Sequence, residues 1–306
     1  MVEVTVAIPT FRRPKSLQRL LAELERLETD VSVSVVVADN DAERHEGVDL
    51  CARMRGSYRW PLASLVVAER GIAAVRNALV ERALSASCDF IAMLDDDEWP
   101  DPSWLTAFLE VQKQTGADAI QGSILFEHED SPSLWALRCD GTGSIRRPSG
   151  PVDMLQGAGN LLLKRDCLAG IEPCFDTAFS LGGGEDLDFF RRLAKRGKRF
   201  AWADEAIARS TVPASRMRLG WVLARAYSVG NSDMRVFLKH DRGAWELAVE
   251  LTKIAAALLL SPLMLVILLV VPNRAVDVLR TLCRAAGKLG ALCGLHYHEY
   301  AITHGG

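Results

Sequence analysis

The chain has 306 residues, 49% hydrophobic and 25% charged, which excludes a disordered, collagen-like or fibrous protein and allows a sizeable core. Its net charge of −3 hides an asymmetry: residues 1–190 carry 18 basic and 31 acidic side chains, residues 191–306 carry 18 and 8. A basic C-terminal third points to phospholipid or a phosphorylated ligand nearby, and no nucleic-acid partner is expected. Seven scattered cysteines without a CxxC pair argue against zinc or a disulfide framework and suit a reducing compartment. No signal peptide is expected, because Met1-Val2-Glu3-Val4 runs straight into a strand pattern.

Val4–Ile8 reads as a buried strand stopped by Pro9-Thr10. Leu17, Leu20, Leu21, Leu24 and Leu27 then follow helical spacing. Val31–Ala38 is a second strand closing on Asp39-Asn40-Asp41, and Leu65–Ala68 a third. Ile72–Leu84 reads as a helix, Asp89–Leu94 as a fourth strand and Trp104–Gln114 as another helix. Such alternation predicts a parallel sheet wrapped by helices, and ligands bind such sheets at the carboxyl ends of the strands. Three of those ends carry distinctive polar residues: Thr10, Asp39 and Asp95–Asp97. Residues 130–160, rich in Ser, Gly and Pro, read as long loops over a smaller sheet. A helix resumes at Glu185–Lys195, and no repeat is found.

Asp95-Asp96-Asp97 follows the apolar strand Phe90–Leu94. Carboxylates at alternate positions of a strand end suit Mg²⁺ or Mn²⁺, whose shell is completed by waters and substrate phosphates; a solvated acidic loop is the plain alternative. Gly182-Gly183-Gly184 precedes Glu185-Asp186. Acids at a helix start are favoured by the dipole alone, yet three glycines cost entropy unless the backbone turns sharply or approaches a ligand. A carboxylate in a protected cleft can act as general base toward a hydroxyl. Arg76-Asn77 either sit on an ordinary helix surface or aim a guanidinium at a diphosphate. The seven tryptophans read mainly as core or interface residues, with Trp99 and Trp135 as candidate sugar platforms. Gly157-Ala158-Gly159-Asn160 is not a dinucleotide fingerprint, for it lacks the third glycine and lies mid-chain.

Together these motifs resemble the inverting family 2 glycosyltransferases of the GT-A fold over roughly residues 3–215. Val6–Pro14 resembles the family's opening strand and nucleotide loop, and Val37-Ala38-Asp39-Asn40 its second strand. Gly71–Asn77 is similar to its donor-side helix, Asp95-Asp96-Asp97 to its DxD motif, and Glu185-Asp186 with Arg191-Arg192-Leu193 to its ED motif. VADNDA (37–42), DDDEWP (95–100), GGEDLDFF (183–190) and VPASR (212–216) bring it near the bacterial exopolysaccharide glucosyltransferases of the succinoglycan type.

The resemblance implies a Rossmann-like mixed α/β sheet flanked by helices. It implies a GT-A domain over 1–215, with a nucleotide-binding half at 1–115 and an acceptor half at 116–215; the basic residues 216–306, with the apolar segment 254–273, are expected to form a helical membrane-associating region. It implies Mg²⁺ or Mn²⁺ on Asp97 and Asp95. Donor-binding residues are then Pro9, Thr10, Arg12, Asp39, Arg76, Asp95 and Asp96. Asp186 is the catalytic base, with Glu185 beside it, and Gly159, Asn160 and Trp99 meet the acceptor. The substrates implied are a UDP-sugar, UDP-glucose above all, and a polyprenyl-diphosphate-linked oligosaccharide, joined at the cytoplasmic face of the inner membrane. Without a QxxRW-type motif after the ED helix, one addition per acceptor is expected.

Two other readings are a haloacid-dehalogenase-type phosphotransferase, suggested by LDDDE after an apolar strand, and a non-catalytic membrane glycan-binding protein. The apolar segment 254–273 carries no charge and is near spanning length, but Ser261-Pro262 lies near its middle and both flanks are basic. Val276, Leu279, Leu282, Ala286 and Leu289 form an apolar stripe opposite Arg280, Arg284 and Lys288. This favours an interfacial or re-entrant anchor over a full span.

Overall fold

The computed structural model describes residues 2–241, 243–267 and 274–297. Strands β1 (Glu3–Thr10), β2 (Ser32–Asp39), β3 (Leu62–Val66) and β4 (Phe90–Met93) run parallel, with β1 between β2 and β4. Both faces of β1 are covered, so its sequence reads as a continuous apolar run. Helices α1 (Pro14–Leu24), α2 (Glu46–Met54) and α3 (Ile72–Leu84) make the crossovers. After β5 (Glu98–Pro100) and α4 (Trp104–Thr115) come β6 (Ala119–His128), β7 (Gly150–Val152), β8 (Leu161–Lys164), α5 (Glu185–Lys195) and β9 (Phe200–Val212). All nine strands share one sheet, in the order β3-β2-β1-β4-β8-β6-β9-β5 with β7 on β9.

The sheet is mixed because β8 lies antiparallel between β4 and β6. One face is covered by α1 and α4, whose Leu17, Leu20, Leu24, Trp104 and Phe108 are fully buried. On the other face α3 and α5 bury Val75, Leu79, Phe189 and Phe190. The third strand forms over Leu62–Val66 rather than Leu65–Ala68. The Asn40 side-chain amide donates to the carbonyls of Val67 and Glu69 at 2.9 and 2.7 Å, which turns the chain away after Val66. The expected smaller sheet under residues 130–160 does not form; that stretch gives β7 to the main sheet and a short turn of helix at Ala136–Arg138.

Three helices follow: α6 (Leu219–His240), α7 (Ala244–Ile267) and α8 (Ala275–Leu292). Helices α6 and α8 pack backbone against backbone through Gly230 and Gly287. A methyl group on Gly230 would strike the carbonyl of Arg284, and one on Gly287 the carbonyl of Tyr227. The Asn231 side-chain amide locks the pair, donating to the carbonyls of Gly287 and Leu295 while its oxygen accepts the Tyr297 N–H. In a free helix Gly287→Ala would stabilise. Here it should lower stability by about 1–3 kcal/mol through overpacking, read as a lower denaturation midpoint.

Of the apolar stripe expected on α8, Val276 is buried, Leu279, Leu282 and Ala286 are half-buried and Leu289 is exposed. Val278, Ala285 and Ala291 are also buried, and Arg280, Arg284 and Lys288 pair with Asp140, Asp233 and Glu250. The larger apolar exposure falls on α7, where Leu259, Leu260, Leu263 and Met264 are all exposed. Pro262 lies inside that helix without ending it. Over Ala244–Met264 it is long and apolar enough to cross a membrane; positions 268–273 of the apolar segment, and the tail beyond 297, lie outside the described residues.

Candidate active site

A cleft of about 460 Å³ opens at the carboxyl ends of β1 and β4 and reaches the start of α5. Asp96 forms its floor on the β1 side. Its carboxylate accepts from the Thr10 hydroxyl at 2.8 Å, the Phe11 N–H at 3.3 Å and the Arg13 guanidinium at 3.2 Å. Burial pushes this carboxyl up to about 7, against the pull of Arg13. Asp97 accepts from the same guanidinium at 2.9 Å and lies 3.7 Å from that of Arg216. Glu98 turns inward and accepts the Asp95 N–H at 3.2 Å; burial, with Asp95 and Asp97 nearby, holds its carboxyl well above the usual range.

Across the cleft, Glu185 and Asp186 open α5. Gly183 and Gly184 take left-handed φ values of +75° and +98°, and the Ser232 hydroxyl donates to the Gly182 carbonyl at 2.8 Å. The three glycines therefore serve a sharp turn docked on α6. Arg76, from the first turns of α3, joins the two sides: one nitrogen donates to Glu185 Oε1 at 2.7 Å, the other to Asp95 Oδ1 at 3.1 Å. Burial and the neighbouring Asp186 push Glu185 up to about 7 against Arg76. Its Oε2 is buried without a hydrogen-bond partner among the described residues. Burial likewise raises Asp186, opposed by Arg76 and more weakly by Arg225. A methyl on Gly157 would lie 3.6 Å from Asp186 Oδ2, and one on Gly159 would lie 3.2 Å from Asp95 Oδ2. Glycine keeps this part of the floor low.

Of the residues singled out in the sequence, Pro9, Thr10, Arg76, Asp95, Asp96, Asp97, Gly159, Glu185 and Asp186 all line this cleft. Four do not. Arg12, at φ +54°, turns away to pair with Asp41 and Glu43. Asp39 gives its carboxylate to the N–H groups of Asp41, Gly47 and Val48 and so caps α2. Trp99 is buried on β5 beneath the Arg19 guanidinium, 3.2 Å from the ring centroid. Asn160 is fully buried, accepting from the Trp104 indole at 2.6 Å and donating to Ser123 and Ala206 carbonyls at 2.8 Å. Asn77 is a backbone clip on Phe175.

Sequence reasoning passed over Arg13, Arg70, Trp221 and Arg225, which do line the cleft. Arg70 lies 3.6 Å from the centroid of the Phe11 ring. The hard oxygens of Asp95 and Asp97 remain 37% and 28% exposed. No cluster of three or more ligating side chains occurs among the described residues. Two open carboxylates fit a divalent ion that takes the rest of its shell from water and a diphosphate, and do not fit a closed protein cage.

The profile of glycosyl transferase family 2 matches residues 5–167, more than half of the chain. The chain belongs to this family. Among curated proteins, this family 2 glycosyltransferase is 28% identical over 253 residues to the succinoglycan biosynthesis protein ExoM of Rhizobium meliloti (strain 1021), across 81% of this chain and 80% of that protein. Among solved structures, the mannosyltransferase PcManGT of Pyrobaculum calidifontis, in complex with GDP-Man and Mn²⁺, superposes with a TM-score of 0.62 at 16% identity, covering 94% of this chain and 86% of that one. GalNAc-T7 with UDP, GalNAc and Mn²⁺ gives 0.55 at 10% identity, covering 76% and 51%. The fold is thus the GT-A fold. The match also sets aside the phosphotransferase reading of LDDDE, whose aspartates here end the fourth strand of a glycosyltransferase sheet.

Proposed function

We propose that this family 2 glycosyltransferase moves glucose from UDP-glucose onto a polyprenyl-diphosphate-linked oligosaccharide, in one inverting displacement, during exopolysaccharide or cell-surface glycan synthesis. The observation that carries this reading is a single cleft with open carboxylates at a strand end, Asp95 and Asp97, opposite the buried Glu185-Asp186 pair. The kinship with a succinoglycan biosynthesis protein supports the acceptor class, and the GDP-Man and UDP complexes of the structural neighbours support a nucleotide-sugar donor.

In this reading residues 1–115 hold the nucleotide and 116–215 contribute the acceptor side. A divalent ion, Mg²⁺ or Mn²⁺, held by Asp95 and Asp97 would offset the charge of the diphosphate leaving group. The chain's own residues do the rest. Arg13 and Thr10 fix Asp96, which sets the strand end in place. Asp186 accepts the proton of the acceptor hydroxyl as that oxygen attacks the anomeric carbon from the face opposite the diphosphate, so the anomeric centre inverts. Glu185, braced by Arg76, orients the site, and its unused oxygen offers an acceptor to a sugar hydroxyl.

The test is a donor panel assayed for UDP release on membrane extracts containing lipid-linked oligosaccharides. Release from UDP-glucose that requires the extract supports the reading; release from no nucleotide sugar would favour a glycan-binding protein instead. The exposed apolar surface of α7 supports a membrane anchor, which this reading places at the cytoplasmic face of the inner membrane with the chain's tail on that same face. With the native thiols removed, a cysteine placed at Ala301 should react with a membrane-impermeant reagent only after the inner membrane is permeabilised. Labelling in intact cells would show that the tail crosses.

A further inference from the structure

Part of the cleft wall is built by chain beyond the family match. Arg216 lies in the short helical turn after β9, and Trp221 and Arg225 lie on α6. The last two are four residues apart and share one face of the helix. Trp221 is half-buried. It packs on a small apolar group of Cys139, Val222 and Val276, the last supplied by α8. Gly141, at φ +79°, brings its loop against the indole; a methyl there would lie 3.3 Å from Cη2.

The ring is thus held from several sides while it lines the cleft. Arg216, 3.7 Å from Asp97, has its guanidinium carbon 5.9 Å from the indole centroid, and Arg225, one turn on from Trp221, acts on the charge of Asp186. Thr10, Asn40 and Arg70 gather at the ends of β1 and β2, whereas Trp221 stands with Arg225 on the helix that carries the α5 turn. A flat apolar face beside a cation suits a ring with an apolar C–H face and a rim of hydroxyls.

We propose that Trp221 and Arg225 form the subsite for the terminal pyranose of the acceptor, a neutral hexose ring lying on the indole with a hydroxyl directed between Arg225 and Asp186. This deepens the transferase reading and rests on it for the word acceptor. It also gives the C-terminal helices a part in recognition, since Val276 of α8 supports the indole.

The test is equilibrium binding of methyl β-glucoside and methyl β-galactoside to the full chain, with UDP and Mg²⁺ present, for wild type, Trp221→Phe and Trp221→Leu. Leucine keeps apolar contact with Val222 and Val276 and removes the ring. Should its thermal midpoint fall, the phenylalanine variant carries the test. We expect at least one glycoside to bind wild type, with its Kd raised about tenfold in Trp221→Leu, roughly 1.4 kcal/mol, and by less in Trp221→Phe. UDP affinity should stay unchanged. The proposal is overturned by an unchanged glycoside Kd in the variants, by a parallel loss of UDP affinity, which would assign the indole to the nucleotide, or by failure of both glycosides to bind wild type. Both readouts are binding measurements. A chain that bound a glycoside through Trp221 yet turned over no nucleotide sugar would refute the transferase reading and leave the subsite standing.

Discussion

Asp186→Asn should lower turnover by about 10²-fold or more, the scale of losing general-base help, with UDP affinity and thermal midpoint unchanged. Asn keeps the shape of the side chain and the contact of its oxygen with the Leu187 N–H, 2.7 Å in the wild type, but cannot take a proton. The pH profile is a second check. Burial raises the Asp186 carboxyl above its ordinary 3.8, and only the ionised form is a base. Wild-type turnover should therefore rise with pH through an apparent pKa above 3.8, and the variant's residual activity should lack that limb. Near-wild-type activity would move the base to Glu185, because Asp188 is fully buried and paired with Arg192, Lys239 and His240.

Asp97→Ala should weaken nucleotide binding and lower turnover together, by about 10²–10³-fold in turnover, as when a charge-stabilising group is removed. Asp97 is 28% exposed, so its removal leaves no cavity in the core. The change also removes one partner of Arg13, held at 2.9 Å, and leaves its bond to Asp96 at 3.2 Å. Exhaustive chelation of the wild type should reproduce the loss, and added Mg²⁺ or Mn²⁺ should reverse it. Full activity after chelation would remove the divalent ion from the mechanism and leave Asp97 only its ion pairs with Arg13 and Arg216.

The strands that carry the site were legible because each is an apolar run with an abrupt polar stop: Pro9-Thr10 after β1, Asp39 closing β2, three aspartates after β4. What lay hidden depended on backbone direction or distant packing. Arg12 and Arg13 are neighbours of the same type, and only the left-handed turn at Arg12 decides which guanidinium enters the cleft. β9 was missed because Asp204-Glu205 interrupts it. That break is accommodated by the register shift between Gly122 and Ile124 and by Arg146 and Ser123, which bind the Asp204 carboxylate. Asn160 looks like a ligand in sequence, yet its amide is used up by Trp104, Ser123 and Ala206. On α8 the leucine stripe was legible, whereas the contact with α6 is set by Gly287 and Gly290, which carry no hydrophobic signal. Trp221 gave no signal of its own, since its place in the wall depends on the Gly141 loop and on α8 together.

The Arg76 fork has a thermodynamic consequence. One guanidinium answers to two carboxylates on opposite sides of the cleft, Asp95 and Glu185. Any ligand that changes the charge beside Asp95 changes how strongly Arg76 holds the Glu185 anion, and with it the proton affinity of that group. Reciprocity then fixes the converse: by whatever factor a bound diphosphate shifts the proton equilibrium of Glu185, protonating Glu185 shifts the diphosphate's affinity by the same factor. Because burial sets Glu185 near 7, that exchange falls within the range of pH in which cells live, and nucleotide binding should be accompanied by a measurable uptake or release of protons.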